Sequence, residues 1–427
     1  MTFFFKKIIT SIKILIIFFS LCLALPLLLI IYSISSLYLI RFQNLISTRF
    51  GHFAANTELY LCEKKMKINT PKQKYIDLFF CHEISNSQLL KMWKEKIIIL
   101  PRWFLFPFFL LNNFFSKFFK QFKKHKIGFN TLEDFDVHNL YERVEPNLKF
   151  TKAEDILANQ FLEKLGLPKN AKFVTLNVRD SEYLKALYPY KDWSYHNVRN
   201  QDVDNYLLAL EEVVKRGYYV FRVGGTPLSK KLTTSNPKII DYTHSNLRND
   251  FLDVYLPAKC DFCISTGSGV DSIVQIFRKP IVLIFMCPLQ CRLFYNNKSI
   301  LMLRPYVNIN ENRRLTINEI LTPEISKLRT TEDFRSAGIN VAENTQEEIR
   351  DIVIEMLDSL EGKKKEDLND TILQNKFYEK LVKMIDEYNK KYRYKTDDFH
   401  MIPHPIYKAK IGANFLRNNF NKTNTFT

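Results

Sequence analysis

One stretch of this chain has no polar–apolar alternation at all. Residues 14–40 carry no charge, and a helix of that length, at about 1.5 Å per residue, exceeds the ~30 Å hydrocarbon core of a bilayer. Lys6, Lys7 and Lys13 precede it. The run is too long for the apolar part of a signal peptide, and no small-x-small cleavage pattern follows, so a retained membrane segment is expected. Pro26, mid-segment, offers a re-entrant hairpin as the alternative. Beyond it, apolar positions predict a strand at 43–47, a turn Arg49-Phe50-Gly51-His52, and a helix through Glu58 and Tyr60. A strand at 75–80, a helix at 86–95 with Leu89, Leu90 and Trp93 on one face, and a strand at 97–100 follow.

Residues 103–122 read differently. Phe104, Phe106, Phe108, Phe109, Phe114, Phe115, Phe118, Phe119 and Phe122 mix with Lys117 and Lys120, and Lys123, Lys124 and Lys126 come next. The run is too interrupted to span a bilayer. Aromatic and basic residues together suit an interfacial helix, with a buried core helix as the alternative.

A linker-like stretch at 133–150 leads to a helix at 151–165, where Thr151-x-x-Glu154 has capping-box spacing. Strands are expected at 173–178, 218–223, 238–241, 262–264 and 281–285, and helices at 203–216, 250–256 and 268–277. Strands alternating with helices imply a parallel sheet. An amphipathic helix is expected at 345–360, and the Asn-rich end from Asn414 reads as disordered.

Composition narrows the partners. The net charge is +17, with 36 Phe and 21 Tyr against 11 Gly. A basic balance suits nucleic acid, an anionic membrane or anionic small substrates. Its concentration between Arg41 and Lys126, beside the apolar segment, favours membrane over nucleic acid. Arg41, Arg49, Lys64, Lys65 and Lys67 on the C-terminal flank place the globular part in the cytoplasm. Seven cysteines at uneven positions suit a reducing compartment.

The candidate chemistry sits where three strands end. The first runs into Arg179-Asp180, the second into Arg222-Val223-Gly224-Gly225, the third into Ser265-Thr266-Gly267-Ser268-Gly269 and a helix. In a parallel sheet these ends share one edge, where ligands bind. Two arginines beside a small-residue turn suit a diphosphate. The turn is neither a Walker A nor G-x-G-x-x-G, which disfavours ATP hydrolysis and hydride chemistry. Arg199, in a polar loop, is a further phosphate or sugar ligand, or else a solvated loop residue. His52 is a candidate base for an acceptor hydroxyl, against a helix N-terminal histidine without such a role; Glu58 is a second, weaker base. Asp134-Phe135-Asp136 and Asp202-Val203-Asp204 have the form of metal-binding triplets, but the second reads as a helix cap. Cys260-x-x-Cys263 and Cys287-x-x-x-Cys291 superficially suggest zinc; buried strand thiols explain them better. No metal and no cofactor is expected.

These residues carry a resemblance. Val178-Arg179-Asp180-Ser181-Glu182-Tyr183-Leu184, Val198-Arg199-Asn200-Gln201-Asp202-Val203-Asp204-Asn205-Tyr206, Gly217-Tyr218-Tyr219-Val220-Phe221-Arg222-Val223-Gly224 and Asp250-Phe251-Leu252-Asp253-Val254-Tyr255-Leu256 through Gly269, with Arg49-Phe50-Gly51-His52-Phe53, resemble a family of bacterial proteins assigned as surface-polysaccharide glycosyltransferases. Asn177 and Val198 depart from it, standing where His and Tyr are expected. The resemblance implies an α/β protein of two facing Rossmann-like domains (GT-B-like), the C-terminal one holding the donor diphosphate.

The expected layout is a membrane anchor with flanks at 1–42, an N-terminal acceptor-side α/β domain at 43–165 with an interfacial segment at 103–126, a C-terminal nucleotide-sugar-binding domain at 166–361, and a helical extension with a disordered tail at 362–427. The expected function is a metal-independent glycosyltransferase of the bacterial inner membrane, its catalytic domains cytoplasmic. It would move sugar from a nucleotide-sugar donor to a glycan or lipid-linked acceptor, without nucleic acid. A nucleotide-sugar epimerase or hydrolase, and a non-catalytic polysaccharide-assembly protein, are the alternatives.

Overall fold

The computed structural model describes residues 2–128, 136, 138–187, 189–285, 296–364, 367–392 and 409–420, with main chain only at 2–14 and Leu187. Asp134, Phe135, Cys287, Cys291 and the chain beyond Phe420 lie outside these residues. The chain is a mixed α/β protein that divides into two compact units, residues 1–134 and 135–427.

The first unit opens with helix α1 (Thr2–Ser33), continuous through Pro26. Its segment Leu15–Ser33 has a mean hydropathy of 2.8 and is long and apolar enough to cross a membrane. The helix stops at Ser33, earlier than the uncharged run suggests, and Leu39 and Ile40 instead begin strand β1 (Leu39–Leu45). Absence of charge marks apolar surroundings, and a strand backed by a core supplies these as well as lipid does. β1 pairs in parallel with β2 (Tyr75–Cys81), and β2 with β3 (Ile98–Ile99). Arg41 faces Asp77 across the β1–β2 ladder and makes a two-pronged buried ion pair with it, at 2.6 and 2.8 Å. Its charge is therefore neutralised inside the fold rather than offered at a membrane flank. Helices α2 (Phe50–Lys65), α3 (Ser87–Lys94) and α4 (Arg102–Phe118) complete the unit. Asn86 caps α3 by accepting from Leu89 N at 2.9 Å.

The second unit is built on an all-parallel sheet of order β13-β9-β8-β7-β4-β5-β6. Its strands are β4 (Phe173–Asn177), β5 (Tyr219–Arg222), β6 (Ile239–Ile240), β7 (Cys263–Ser265), β8 (Ile281–Phe285), β9 (Ile300–Leu303) and β13 (Lys410–Ile411). β4, β7, β8 and β9 are buried throughout, as continuous apolar runs in parallel sheets must be. A small antiparallel sheet, β11-β10-β12, comprises Arg313–Arg314, Tyr306–Asn308 and Ile339–Val341. Thr151 and Thr345 cap the helices Lys152–Lys164 and Gln346–Leu360 through complete capping boxes.

Composition misjudges the C-terminal end. From Asn414 disorder is expected, yet Ala413–Asn419 is a helix that buries Phe415 and Leu416. Ala413 N donates to Glu355 Oε2 at 2.8 Å. Tertiary burial of two apolar side chains outweighs an Asn-rich composition. The helix Leu368–Tyr392 carries a buried face of Phe377, Leu381, Met384, Ile385 and Tyr388.

Candidate functional site

Chain order places β4 to β6 on one side of the sheet and β7 to β9 on the other, so the strand order reverses between β4 and β7. Ligands bind beyond the carboxyl ends of strands at such a reversal. Asn177 ends β4 and Ser265 ends β7, and the two are register partners. Asn177 Nδ2 lies 3.1 Å from Ser265 Oγ and 2.6 Å from Ser268 Oγ. A Cβ on Gly224, at the end of β5 with φ +77, would come within 2.6 Å of Asn177 Oδ1. Only glycine fits there, and the predicted Gly224 is a packing requirement of the edge.

The turn at 265–269 joins β7 to the helix Val270–Ile276. Gly267 takes φ +86, a conformation that favours glycine. Sequence reasoning expects open amide N–H groups here, whereas several are engaged within the protein. Thr266 N donates to Asn177 O at 3.1 Å, Gly267 N to Ser265 Oγ at 3.3 Å and Ser268 N to Asp271 Oδ2 at 3.3 Å. Ser265 Oγ also donates to Asp271 Oδ1. Asp271 is 1 % exposed, so its carboxylate occupies the helix start that the sequence suggests for a phosphate.

The arginines supply what the turn does not. Arg179 N donates to Thr266 Oγ1 at 2.8 Å, and its guanidinium reaches Asn200 Oδ1 at 2.6 Å and His196 O at 3.3 Å. Arg199 Nη2 donates to Gly267 O at 3.2 Å. The Arg199 guanidinium thus reaches the turn after β7, while Arg179 sits beside that turn through its backbone and sends its guanidinium to the loop; both residues are partly exposed. Asp180 caps the helix Glu182–Leu187, accepting from Glu182 N at 3.0 Å.

His196 reports the local field. Its basicity is lowered from 6.5 to about 4 by burial, then by Arg199, Arg179 and Lys191. A neutral imidazole between cations marks a place that rejects further positive charge and accepts an anion. The ring stacks on Trp193 and lies tilted against Tyr195, and its Nδ1 is buried without a partner in the protein. Sequence reasoning missed His196 because loop aromatics carry no periodicity. It also missed Arg304, which is buried and holds this loop by donating to Val198 O at 2.7 Å and Asn200 O at 3.2 Å.

The other candidates have surroundings of their own. Arg222 is 2 % exposed, its guanidinium bound to the Lys230 carbonyl and, at 3.1 Å, to Asp241. Asp202 and Asp204 share the Lys230 ammonium, at 2.7 and 2.8 Å, so a cation of the protein itself already bridges them. Cys260 and Cys263 are buried thiols; burial pushes Cys260 up to about 11 and Cys263 well up. No metal-binding cluster of His, Cys, Asp or Glu occurs among the described residues. His52 and Glu58 belong to the other unit, on α2, where Glu58 is fully buried and His52 Nδ1 has no partner in the protein. Asn56, one turn beyond His52, is 2 % exposed with neither amide atom partnered.

No protein-family model and no curated protein matches the chain. Among solved structures it is similar to a glycosyl transferase family 9 protein from Veillonella parvula, at 11% identity over 62% of this chain and 86% of that one, with a TM-score of 0.34. It is also similar to the E. coli ADP-heptose LPS heptosyltransferase II, at 13% identity over 58% of this chain and 85% of that one, with a TM-score of 0.30. The iron-containing dodecameric glycosyltransferase TibC from enterotoxigenic E. coli is similar at 12% identity over 58% of each chain, with a TM-score of 0.30.

Proposed function

We propose that this protein is a membrane-associated glycosyltransferase that moves a sugar from a nucleotide-sugar donor to a glycan or lipid-linked acceptor in surface-polysaccharide synthesis. One observation carries the donor assignment: Arg179 and Arg199 converge at the β4–β7 reversal and, with burial, hold His196 neutral. Two guanidinium groups in that position suit the diphosphate of a nucleotide sugar. As the glycosidic bond to the donor breaks, negative charge grows on that diphosphate, and fixed cations stabilise it as a leaving group without a metal. The turn at 265–269 holds Arg179 through Thr266 and Arg199 through the Gly267 carbonyl, and Asp180 starts the helix that follows. Arg222 and Gly224 shape the neighbouring strand end rather than meet the ligand. In this reading the two units are the facing domains of a GT-B-like enzyme. His52 is the base that takes the acceptor hydroxyl proton, Glu58 supports α2 from within, and α1 anchors the chain in the inner membrane with the catalytic part cytoplasmic.

The test is calorimetry of the detergent-solubilised full chain with a panel of nucleoside diphosphates in the presence of EDTA. Binding by one of them that is lost in Arg179→Ala and Arg199→Ala supports the donor site. Unchanged affinity in both variants removes it, and donor turnover without any acceptor would turn the reading toward a hydrolase or epimerase.

A further inference from the structure

We propose that α4 and the basic turn after it form a second membrane element, seated beside the C-terminal half of α1 in an anionic leaflet. This rests on the reading of α1 as a membrane helix. The packing of α1 leads to it. Ala24 and Leu28 lie in one core cluster with Phe42, Phe80, Leu105 and Phe108, and Ile31 and Tyr32 pack at its edge. From Ala24 to Tyr32 a helix rises about 12 Å, while a hydrocarbon core is only ~30 Å thick. Leu105 and Phe108 of α4 cover that part of the spanning helix and so sit at membrane depth with it.

The exterior of α4 suits that depth. No residue from Trp103 to Ser116 is charged. Trp103 and Phe118 are 77 and 67 % exposed, and Phe104, Phe114 and Phe119 are exposed as well. Its buried polar groups are satisfied within the protein: Asn112 Oδ1 accepts from Tyr32 Oη at 2.8 Å, and Ser116 Oγ donates to Asn113 O at 3.0 Å. A hydrogen bond between two helices at such a depth is what membrane packing uses in place of water.

The charges gather at the ends. Arg102 precedes the apolar stretch and Lys117, Lys120, Lys123 and Lys124 follow it, all exposed, while no Asp or Glu occurs between Glu95 and Glu133. The basic turn is pinned to the end of α1 and the start of β1: Phe122 stacks on Tyr32 at 4.1 Å, and His125 Nδ1 hydrogen-bonds Ile40 O at 2.7 Å. It therefore sits where α1 leaves the hydrocarbon, level with the headgroups. Exposed aromatics beside uncompensated lysines attract an anionic lipid surface. The same surface on a second copy would repel it.

The experiment reconstitutes the full chain in phosphatidylcholine–phosphatidylglycerol vesicles whose acyl chains are brominated, and reads tryptophan emission. Quenching is expected, and its lipid-dependent part should disappear in Trp103→Phe, an exposed position where the substitution leaves the fold intact. Replacing Lys117, Lys120, Lys123 and Lys124 by Gln should make quenching insensitive to the phosphatidylglycerol content. Quenching that is absent, or unchanged by Trp103→Phe, overturns the proposal; if the protein is then a dimer in mild detergent, the face belongs to a second copy. Carbonate washing reports α1 separately. Protein retained by the membrane but unquenched at Trp103 refutes only the α4 element, whereas released protein refutes the anchor as well.

Discussion

Arg179 Nη1 donates to Asn200 Oδ1 at 2.6 Å, tying the end of β4 to the loop that carries Arg199. The two proposed phosphate-binding cations are thus positioned through one amide. Asn200→Ala keeps both charges and removes the tether, so nucleoside diphosphate affinity should fall by roughly two- to ten-fold, the equivalent of one neutral hydrogen bond. Arg179→Ala should cost more, about ten- to hundred-fold, because a charge-assisted contact goes with it. Calorimetry that ranks Asn200→Ala as the more damaging would show that the loop, not the arginine, makes the contact.

Arg222 tests whether a strand-end arginine is a ligand or a strut. Its partner Asp241 also binds His244 Nδ1 at 2.9 Å and Leu232 N at 3.1 Å. Removing Arg222 leaves a partly buried carboxylate short of its counter-charge, and breaking such a pair costs about 3–5 kcal/mol when fully buried. Arg222→Ala should therefore unfold at clearly lower denaturant concentration, while the folded fraction keeps its nucleoside diphosphate affinity. Full stability with lost affinity would return Arg222 to the binding site.

His196 gives a pH signature. Its basicity falls from 6.5 to about 4 in the folded protein, through burial and then Arg199, Arg179 and Lys191. Between those values the unfolded chain binds more protons, so stability rises with pH across that window. The His196 contribution is fully present above about pH 6.5 and is lost as pH falls through 4. Thermal unfolding between pH 4 and 6.5 should show a shallower pH slope in His196→Asn than in the unaltered protein. Identical slopes would mean that His196 titrates normally.

Asn56 tests the cost of a buried amide without partners. A buried amide without partners costs about 1–3 kcal/mol, and Leu has a similar shape. Asn56→Leu should raise denaturant stability by that order, read as a higher urea midpoint. A loss of stability in Asn56→Leu would show that the amide is satisfied in solution.

Local pattern along the chain is enough to read the elements and the edge on which they end. Phe173–Asn177, Ile281–Phe285 and the capped helices at Thr151 and Thr345 were legible because periodicity, capping spacing and continuous apolar runs are local. So was the convergence of Arg179 and the turn at 265–269, since alternating strands and helices imply a parallel sheet. The tertiary structure decided which of those side chains are available. Arg199 reaches Gly267 across 68 positions of sequence, Asp271 takes the Ser268 amide that looked open, and Lys230 closes the Asp202–Asp204 pair. It also ended α1 at Ser33 and folded the Asn-rich end onto Glu355. Hydrogen-bond partners and burial depend on contacts between distant segments, and these leave no period and no spacing in the chain for local reasoning to find.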